Sequence, residues 1–336
     1  MSPLHPLGRL YGRLMTIRAY LYRRGILRSY TLPVPVISVG NLSLGGTGKT
    51  PFTLWLARFL IRFGHRPVIL SRGYRRRGRG TVVVSTGSGP LVTPELAGDE
   101  PHLLASRLSG ALVVVDKDRY RAGALAISRL SASIALLDDG FQHLRLKRDL
   151  DIVLVSPETD PRREAIFPAG RLREPPAALS RADALIITKA NLFPEEKVRG
   201  LEDYLASFGL PVFKLNYRVE GLYDLSGDPV AWPEPPWGAF CGLAQPSAFF
   251  ALLESEGQKP AFKFSFPDHH RYSSRDLVRL GRALQQKGLR ALITTEKDAV
   301  KLRSLAPELP IFCLRLDLEV AKDLEGFIIE KLKGLS

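Results

Sequence analysis

The sequence predicts an α/β protein: a mostly parallel sheet flanked by helices, followed by a second, smaller α/β unit. Three observations carry that prediction. Short apolar, β-branched runs alternate with longer segments of helical period along the 336-residue chain. The first run, Val34–Val39, leads through a glycine-rich turn into an amphipathic helix, Phe52–Phe63, stopped by Gly64. A cluster of prolines from Pro229 to Pro236 separates a second series of the same alternation from the first.

The glycine-rich turn reads Ser43-Leu44-Gly45-Gly46-Thr47-Gly48-Lys49-Thr50. Strand, glycine loop, helix is the context of a phosphate-binding loop in a P-loop NTPase-type sheet. Glycines let backbone N–H groups face inward, and the helix N-terminus adds positive dipole. Ser43, Gly45, Gly46, Thr47, Gly48, Lys49 and Thr50 are therefore the expected nucleotide-binding residues. Lys49 would reach the β- and γ-phosphates, and the Thr50 hydroxyl would ligate Mg²⁺. Pro51 suits the first helical turn, where an N–H has no partner. Ser43 stands where the generic pattern has its first glycine.

Hydrophobic content of 45% and charged content of 24% are ordinary for a globular protein. The net charge of +14 is not. It calls for an acidic partner: nucleic acid, an anionic membrane surface, or a phosphorylated substrate. Cys241 and Cys313 lie in strand-like apolar runs and form neither a metal pattern nor a disulfide framework, so a reducing compartment is expected. No cleavable signal and no stretch of roughly 18 uncharged apolar residues is apparent.

Residues 1–30 contain no acidic side chain. Leu4, Leu7, Leu10, Tyr11, Leu14, Ile17 and Leu21 recur at helical spacing, interleaved with Arg9, Arg13, Arg18, Arg23, Arg24 and Arg28. Such a basic amphipathic helix lies in a membrane interface, or packs on the domain with a solvated basic face. Most arginines fall beside or opposite the apolar stripe; Arg18 falls near it.

Arg66–Ser71 reads as a second buried strand, ending in the basic run Arg72–Arg79, which is a nucleic-acid patch, a phosphate-binding loop or a solvated loop. Thr81–Ser85 is a short strand. Gly98-Asp-Glu-Pro101 opens a helix, with Asp99 as its N-cap on the plain reading. Leu112–Val115 is a strand, and a helix follows from about Asp118 to Leu130. The strand Ile134–Leu137 runs into Asp138-Asp-Gly-Phe-Gln-His143. An apolar strand ending in Asp is the form of the second nucleotide motif, with Asp138 held near Mg²⁺ on the Thr50 side. Asp139 and His143 are supporting or plain loop residues. Asp151–Val155 is another strand. Phe167–Pro175 is a loop with Arg171 and Arg173 free to meet phosphate. Ala182–Thr188 is a strand ending in Thr188-Lys-Ala-Asn191, where the carboxylate that would read guanine is absent; this argues against GTP.

Val212–Tyr217 and Val219–Leu225 alternate and are expected as paired, half-exposed strands connecting the domains. The second unit then runs strand (Trp237–Leu243), helix (Ser247–Ser255), strand (Phe262–Phe266), helix (Ser274–Gln286), strand (Ala291–Thr295), helix, strand (Pro310–Leu316) and terminal helix (Ala321–Leu332). The expected boundaries are 1–30 for the N-terminal helix, 31–210 for the P-loop domain, 211–230 for the connection and 231–336 for the smaller domain, with the last helix able to return to the first. Two polar spots stand out: Phe266-Pro-Asp-His-His-Arg-Tyr272, suited to proton transfer or metal binding, and Thr294-Thr-Glu-Lys-Asp298, a helix cap with an internal ion pair or part of a site.

Together these stretches resemble the tetraacyldisaccharide 4′-kinases, the lipid A 4′-kinases of Gram-negative bacteria. The likeness rests on Pro35–Leu42 with Gly45–Pro51, Ser71-Arg-Gly-Tyr74, Gly98–Pro101, Asp138–His143, Leu172-Arg-Glu-Pro175, Cys241-Gly-Leu243, Asp268-His269-His270 and Thr295-Glu-Lys-Asp298. Ser43 belongs to the family pattern; Arg171 stands where a smaller residue or proline is expected. The resemblance implies transfer of the ATP γ-phosphate to the 4′-hydroxyl of a lipid disaccharide 1-phosphate. It also implies a β-ribbon between the domains. ATP is the co-substrate and Mg²⁺ the metal, held by Thr50 and Asp138. Lys49 neutralises the transferring group, Asp99 and His269 form a base pair of residues, Asp139 supports metal or acceptor, and Arg173 clamps phosphate, with Arg72 and Tyr74 as further candidates. The partners implied are the lipid and the anionic inner-membrane surface on its cytoplasmic face, bound peripherally, with no nucleic acid and no obligate protein partner. The alternative is a P-loop GTPase or ATPase acting as a switch or metallochaperone. A nucleic-acid binder would need stacking aromatics in the basic run, and Tyr74 alone is thin support.

Overall fold

The computed structural model describes residues 4–243, 246–268, 270–303, 305 and 308–334. The chain divides into two compact units, Met1–Asn216 with Leu318–Ser336, and Tyr217–Asp317.

The first unit contains α1 (His5–Arg23), β1 (Val36–Asn41), α2 (Lys49–Arg62), β2 (Pro67–Ser71), β3 (Val82–Ser85), α3 (Pro94–Ala97), α4 (Asp99–Arg107), β4 (Leu112–Val115), α5 (Arg119–Leu130), β5 (Ile134–Asp138), β6 (Leu150–Val155), β7 (Ala184–Ile187), α6 (Glu195–Ala206) and the start of β8 (Val212–Tyr223). Its strands lie in the order β8-β7-β6-β1-β5-β2-β4-β3. All neighbours are parallel except β3, which runs antiparallel on β4. Every residue of β1, β2, β4, β5, β6 and β7 is buried. This is why these strands read as continuous apolar runs, not alternating ones: helices cover both faces of a parallel sheet. Ala122 and Ala126 of α5 pack on Val68, Leu70 and Val114. Val198, Leu201 and Leu205 of α6 pack on Val153, Leu185 and Ile187. Helix α6 was not anticipated, although Pro194-Glu-Glu196 ahead of apolar residues at i, i+3 and i+7 is a helix signal.

β1 lies between β5 and β6, so the turns leaving β1 and β5 sit side by side at the sheet's carboxyl edge. Two glycines permit that. A Cβ on Gly40 would lie 2.5 Å from Phe141 Cβ and 2.6 Å from its backbone nitrogen, and one on Gly140 would lie 2.5 Å from Ser38 Oγ. The Asp138–His143 turn therefore rests directly on β1.

The second unit takes up the rest of β8, then β9 (Pro229–Val230), β10 (Gly238–Cys241), α7 (Pro246–Ser255), β11 (Phe262–Ser265), α8 (Ser274–Gln286), β12 (Leu292–Thr295), α9 (Glu296–Arg303) and β13 (Ile311–Val320). β11-β10-β12-β13 form a parallel sheet over a core that includes Phe240, Phe266, Tyr272, Leu280 and Leu292. Asp276 and Ser273 complete a capping box on α8. Thr295 Oγ1 accepts from Asp298 N–H at 3.3 Å and donates to Asp298 Oδ2 at 2.8 Å, Gly242 N–H donates to the same oxygen at 2.8 Å, and Asp298 pairs with Lys301 at 3.4 Å. Cys241 and Cys313 are buried and form no disulfide. The last helix, α10 (Lys322–Lys333), belongs to the first unit, with Phe327 against Phe213.

The chain passes from one unit to the other inside β8 and again inside β13. One expectation is corrected here. Residues 212–217 and 219–225 are not two strands paired with each other. β8 runs unbroken from Val212 to Tyr223, because Arg218 is an exposed phase of one strand and not a turn.

The Gly40 contact gives a stability prediction. Gly40→Ala should destabilise the protein by about 1–3 kcal/mol, since the added methyl meets backbone that cannot move aside. Thermal denaturation should show a midpoint lower by several degrees; an unchanged midpoint would mean that the turn is free to lift off β1.

Candidate active site

The phosphate loop is held from three directions. Asn41, fully buried at the end of β1, donates through Nδ2 to Ser43 O and Thr47 Oγ1, both at 2.7 Å, and so closes the loop on itself. Thr188 Oγ1 donates to Thr47 O at 3.0 Å, which gives this threonine a structural task in the Thr188–Asn191 stretch. Across the loop, Ser43 forms an antiparallel bridge with Leu172, Leu44 N–H donates to Arg171 O at 2.7 Å, and Arg173 N–H donates to Leu42 O at 2.8 Å. The Ser43 hydroxyl also donates to Thr159 Oγ1 at 3.2 Å, so a side chain here replaces the generic glycine by bonding the neighbouring turn.

Gly45 and Gly48 take φ of +115° and +84°, a backbone region that side-chain-bearing residues avoid. A Cβ on Gly45 or Gly46 would meet nothing within 4 Å. Gly46 is thus free of both strain and crowding, and the open space beside it is the room a phosphate requires. Helix α2 begins at Lys49, and the Thr50 side chain is buried under the loop.

The two consecutive carboxylates face different partners. Asp138, at the end of β5, is buried and accepts from Ser71 Oγ at 2.9 Å. Burial, with the charges of Glu100 and Asp139, pushes its carboxyl up to about 6. Asp139 takes φ of +52°, and its carboxylate meets Arg173 Nη1 at 2.8 Å and Lys49 Nζ at 3.4 Å. Partial desolvation works to raise Asp139, but Lys49 and Arg173 outweigh it and hold the group well below the ordinary carboxylate range.

Gln142 continues the arrangement. Its Oε1 accepts from Arg173 Nη1 at 3.3 Å and its Nε2 donates to Asn41 O at 3.0 Å. Arg119 is buried, and that burial lowers its pKa against the opposing pull of Asp138 and Asp139. His143 is driven down to about 4 by burial and by Arg119 and Arg148. Glu100, Arg119 and Gln142 went unremarked in the sequence, although Glu100 adjoins Asp99 and Gln142 lies inside the Asp138–His143 turn.

Asp99 is the first residue of α4; Gly98, at φ +92°, holds the cap position. The N-cap reading of Asp99 is therefore corrected. A Cβ on Gly98 would lie 3.2 Å from Gly73 Cα, so the turn bearing Asp99 and Glu100 packs backbone to backbone on the turn bearing Arg72 and Tyr74. Arg72 and Tyr74 are exposed, with the Arg75 guanidinium over the Tyr74 ring. Arg171, expected free for phosphate, instead pairs with Glu164 at 2.9 Å and donates to Glu158 O, leaving Arg173 as the arginine of its loop that faces the phosphate loop's lysine. His269 lies outside the described residues. His270 stacks on Phe266 and lies 3.2 Å from Asp276.

No group of three or more His, Cys, Asp or Glu side chains suited to a metal occurs among the described residues. The oxygen donors of Asp138 and Thr50 nevertheless fit Mg²⁺, a hard cation that takes one or two protein ligands and fills its remaining positions with phosphate and water. A buried carboxylate raised by two neighbouring acids is the environment such a cation relieves.

The whole chain from residue 1 to 333 matches the family model described as "Tetraacyldisaccharide-1-P 4'-kinase". The chain belongs to the tetraacyldisaccharide 4′-kinase family. Among curated members it is 41% identical over 330 residues to that of Desulfotalea psychrophila, covering 97% of this chain and 94% of the relative. It is 38% identical over 337 residues to that of Aquifex aeolicus, covering 99% and 97%. A crystal structure of the Aquifex aeolicus family member in complex with ATP aligns with a TM-score of 0.79 at 36% identity, covering 98% of each chain.

The buried imidazole yields a pH prediction. A histidine lowered from 6.5 to about 4 is protonated more readily in the unfolded chain, so it removes stability as pH falls through that window. The stability of the natural protein relative to His143→Gln should fall from pH 6.5 to pH 4. A difference independent of pH would show that His143 is not held neutral.

Proposed function

We propose that the chain is an ATP-dependent phosphotransferase that moves the γ-phosphate of ATP to the 4′-hydroxyl of a tetraacyldisaccharide 1-phosphate, a step of lipid A assembly. The observation that carries the reading is the pairing of Lys49 and Arg173 on Asp139 at the open side of the phosphate loop, in a chain matched by that family over nearly its whole length. Asp139 draws both cations to one place and balances charge that phosphate oxygens would share.

The loop N–H groups and the first turn of α2 receive the β- and γ-phosphates, and Lys49 follows the charge onto the transferring group. Thr50 and Asp138 would hold Mg²⁺, which would supply charge neutralisation on the phosphates. Arg173 clamps phosphate, and Asp139 keeps both cations aimed at the loop. A sugar hydroxyl has a pKa far above 7 and must lose its proton as it attacks. Asp99 and His269 are the residues proposed to take that proton. The switch or metallochaperone alternative is not favoured, since relatives that cover the whole chain carry the kinase name.

Peripheral attachment to an anionic membrane surface is part of the proposal. Among the described residues no helix is long and apolar enough to cross a membrane. On α1 the small residues Gly8 and Gly12 face the protein, whereas Leu7, Leu10, Leu14 and Ile17 are each more than half exposed. The apolar stripe thus points away from the core, opposite to what a packed terminal helix requires. Arg9, Arg13, Arg23 and Arg24 are exposed near it, an arrangement suited to acyl boundary and anionic headgroups. A four-chain lipid on the cytoplasmic leaflet would then be met in the plane where it lies.

Two measurements test the reading. Asp99→Ala and His269→Ala should each lower transfer of label from γ-labelled ATP to detergent-dispersed disaccharide 1-phosphate by about 10²-fold or more. The double variant should be little worse than either; multiplying effects would mean that the two residues do not act as a unit. Leu10→Ser with Leu14→Ser should weaken sedimentation with vesicles containing anionic lipid at least about tenfold, since each leucine contributes roughly 1.5–3 kcal/mol when buried. Unchanged sedimentation would sink the surface-docking role of α1.

A further inference from the structure

One arginine of α1 does not face outward with the others. Arg18 is half-buried, and its Nη1 donates to the backbone oxygen of Gln142 at 3.1 Å, while its guanidinium lies over the Tyr22 ring. That carbonyl belongs to the turn carrying Asp138 and Asp139. The Gln142 side chain accepts from Arg173 Nη1, the same nitrogen that meets Asp139, and Asp139 holds Lys49. An unbroken run of polar contacts therefore leads from α1 to the lysine of the phosphate loop: Arg18, Gln142, Arg173, Asp139, Lys49.

A second route starts on the same helix. A Cβ on Gly8 would lie 2.7 Å from Ile166 O, and one on Gly12 would lie 2.8 Å from Ile166 Cδ1. Tyr11 stands edge-on to Phe167 at 5.8 Å. Helix α1 thus lies on the segment whose next residues, Arg171–Arg173, bridge Ser43, Leu44 and Leu42. A helix needed only for attachment would touch the domain anywhere. This one touches the two segments that frame the phosphate loop.

We propose that Arg18 is a positioning residue for phosphoryl transfer: by fixing Gln142 it sets the Arg173 guanidinium and, through Asp139, the Lys49 ammonium. The proposal rests on the phosphate-clamping role given to Arg173 above. Arg18 itself touches neither nucleotide nor acceptor. What it supplies is geometry. A positional error of about 1 Å in a group that stabilises transferring charge costs on the order of 10²-fold in rate, so a looser support that permits part of that error costs less but measurably.

The test compares Arg18→Leu, Arg18→Lys, Gln142→Ala, Arg18→Leu with Gln142→Ala, and Arg173→Ala in the full-length protein. The assay uses γ-labelled ATP and saturating detergent-dispersed disaccharide 1-phosphate, with vesicle sedimentation and thermal midpoint measured alongside. Arg18→Leu should lower kcat about tenfold, with KM for ATP and vesicle affinity changed less than about twofold. Arg18→Lys, which keeps a donor, should recover most of the rate. In the Gln142→Ala background Arg18→Leu should cost little more, because the run is already cut. Unchanged kcat, a loss confined to vesicle binding, or multiplying effects in the double variant would each overturn the proposal. If Arg18→Leu lowers the thermal midpoint, the Arg18→Lys rate decides: a stable but slow lysine variant with no dependence on Gln142 also overturns it. Normal transfer by Arg173→Ala would instead remove the role of Arg173, whatever Arg18 does.

Discussion

The Asp139 carboxylate, shared between Lys49 and Arg173, is the interaction on which the rest of the site depends. Two cations brought together at a phosphate loop repel each other until phosphate arrives. A carboxylate between them cancels that repulsion and aims both at the same space. The same contact explains the left-handed backbone at Asp139. By reversing direction there, the chain sends Asp138 toward Ser71 and Asp139 toward the cations. Aspartate tolerates this conformation better than most side chains, and Gly140 immediately after it lets the turn rest on β1.

Support for the phosphate loop comes from segments far apart in sequence. Thr188 reaches it from the end of β7, Thr159 from the turn after β6, and Leu172 by a backbone bridge. Ser43 is the point where two of these meet. A glycine at that position, as in the generic loop, would make the backbone bridge but could not bond Thr159. The departure from the generic pattern is therefore a change in how the loop is held. Lys49 and Thr50 keep their places at the start of α2.

Helix α1 reverses the usual orientation of an amphipathic helix on a globular domain. Its glycines face inward because Ile166 leaves no room for a Cβ, and its leucines face outward. Close approach of a glycine face substitutes for apolar burial as the means of attachment to the domain. The leucine stripe is thereby left exposed. The arginines divide accordingly: most join the exposed face, whereas Arg18, at the border, turns toward Gln142.

The sequence by itself determined the parallel sheets, the phosphate loop and the Asp138 strand end, because each is written in local chemistry: β-branched runs, a glycine turn, a helix start. It also placed nearly all of the candidate residues on the carboxyl side of strands. What only the tertiary structure decided was who meets whom. Arg171 and Arg173 are indistinguishable in sequence, two arginines in one loop. Folding gives the first to Glu164 and the second to Asp139. Asp99 reads as a cap until Gly98 is seen to hold that position. The run from Arg18 to Lys49 begins with a contact between residues 124 apart, and no local pattern encodes it. Helical period showed α1 to be amphipathic, but which face met the protein depended on the space Ile166 left. That space exists only once the strap carrying Ile166 has folded against the phosphate loop.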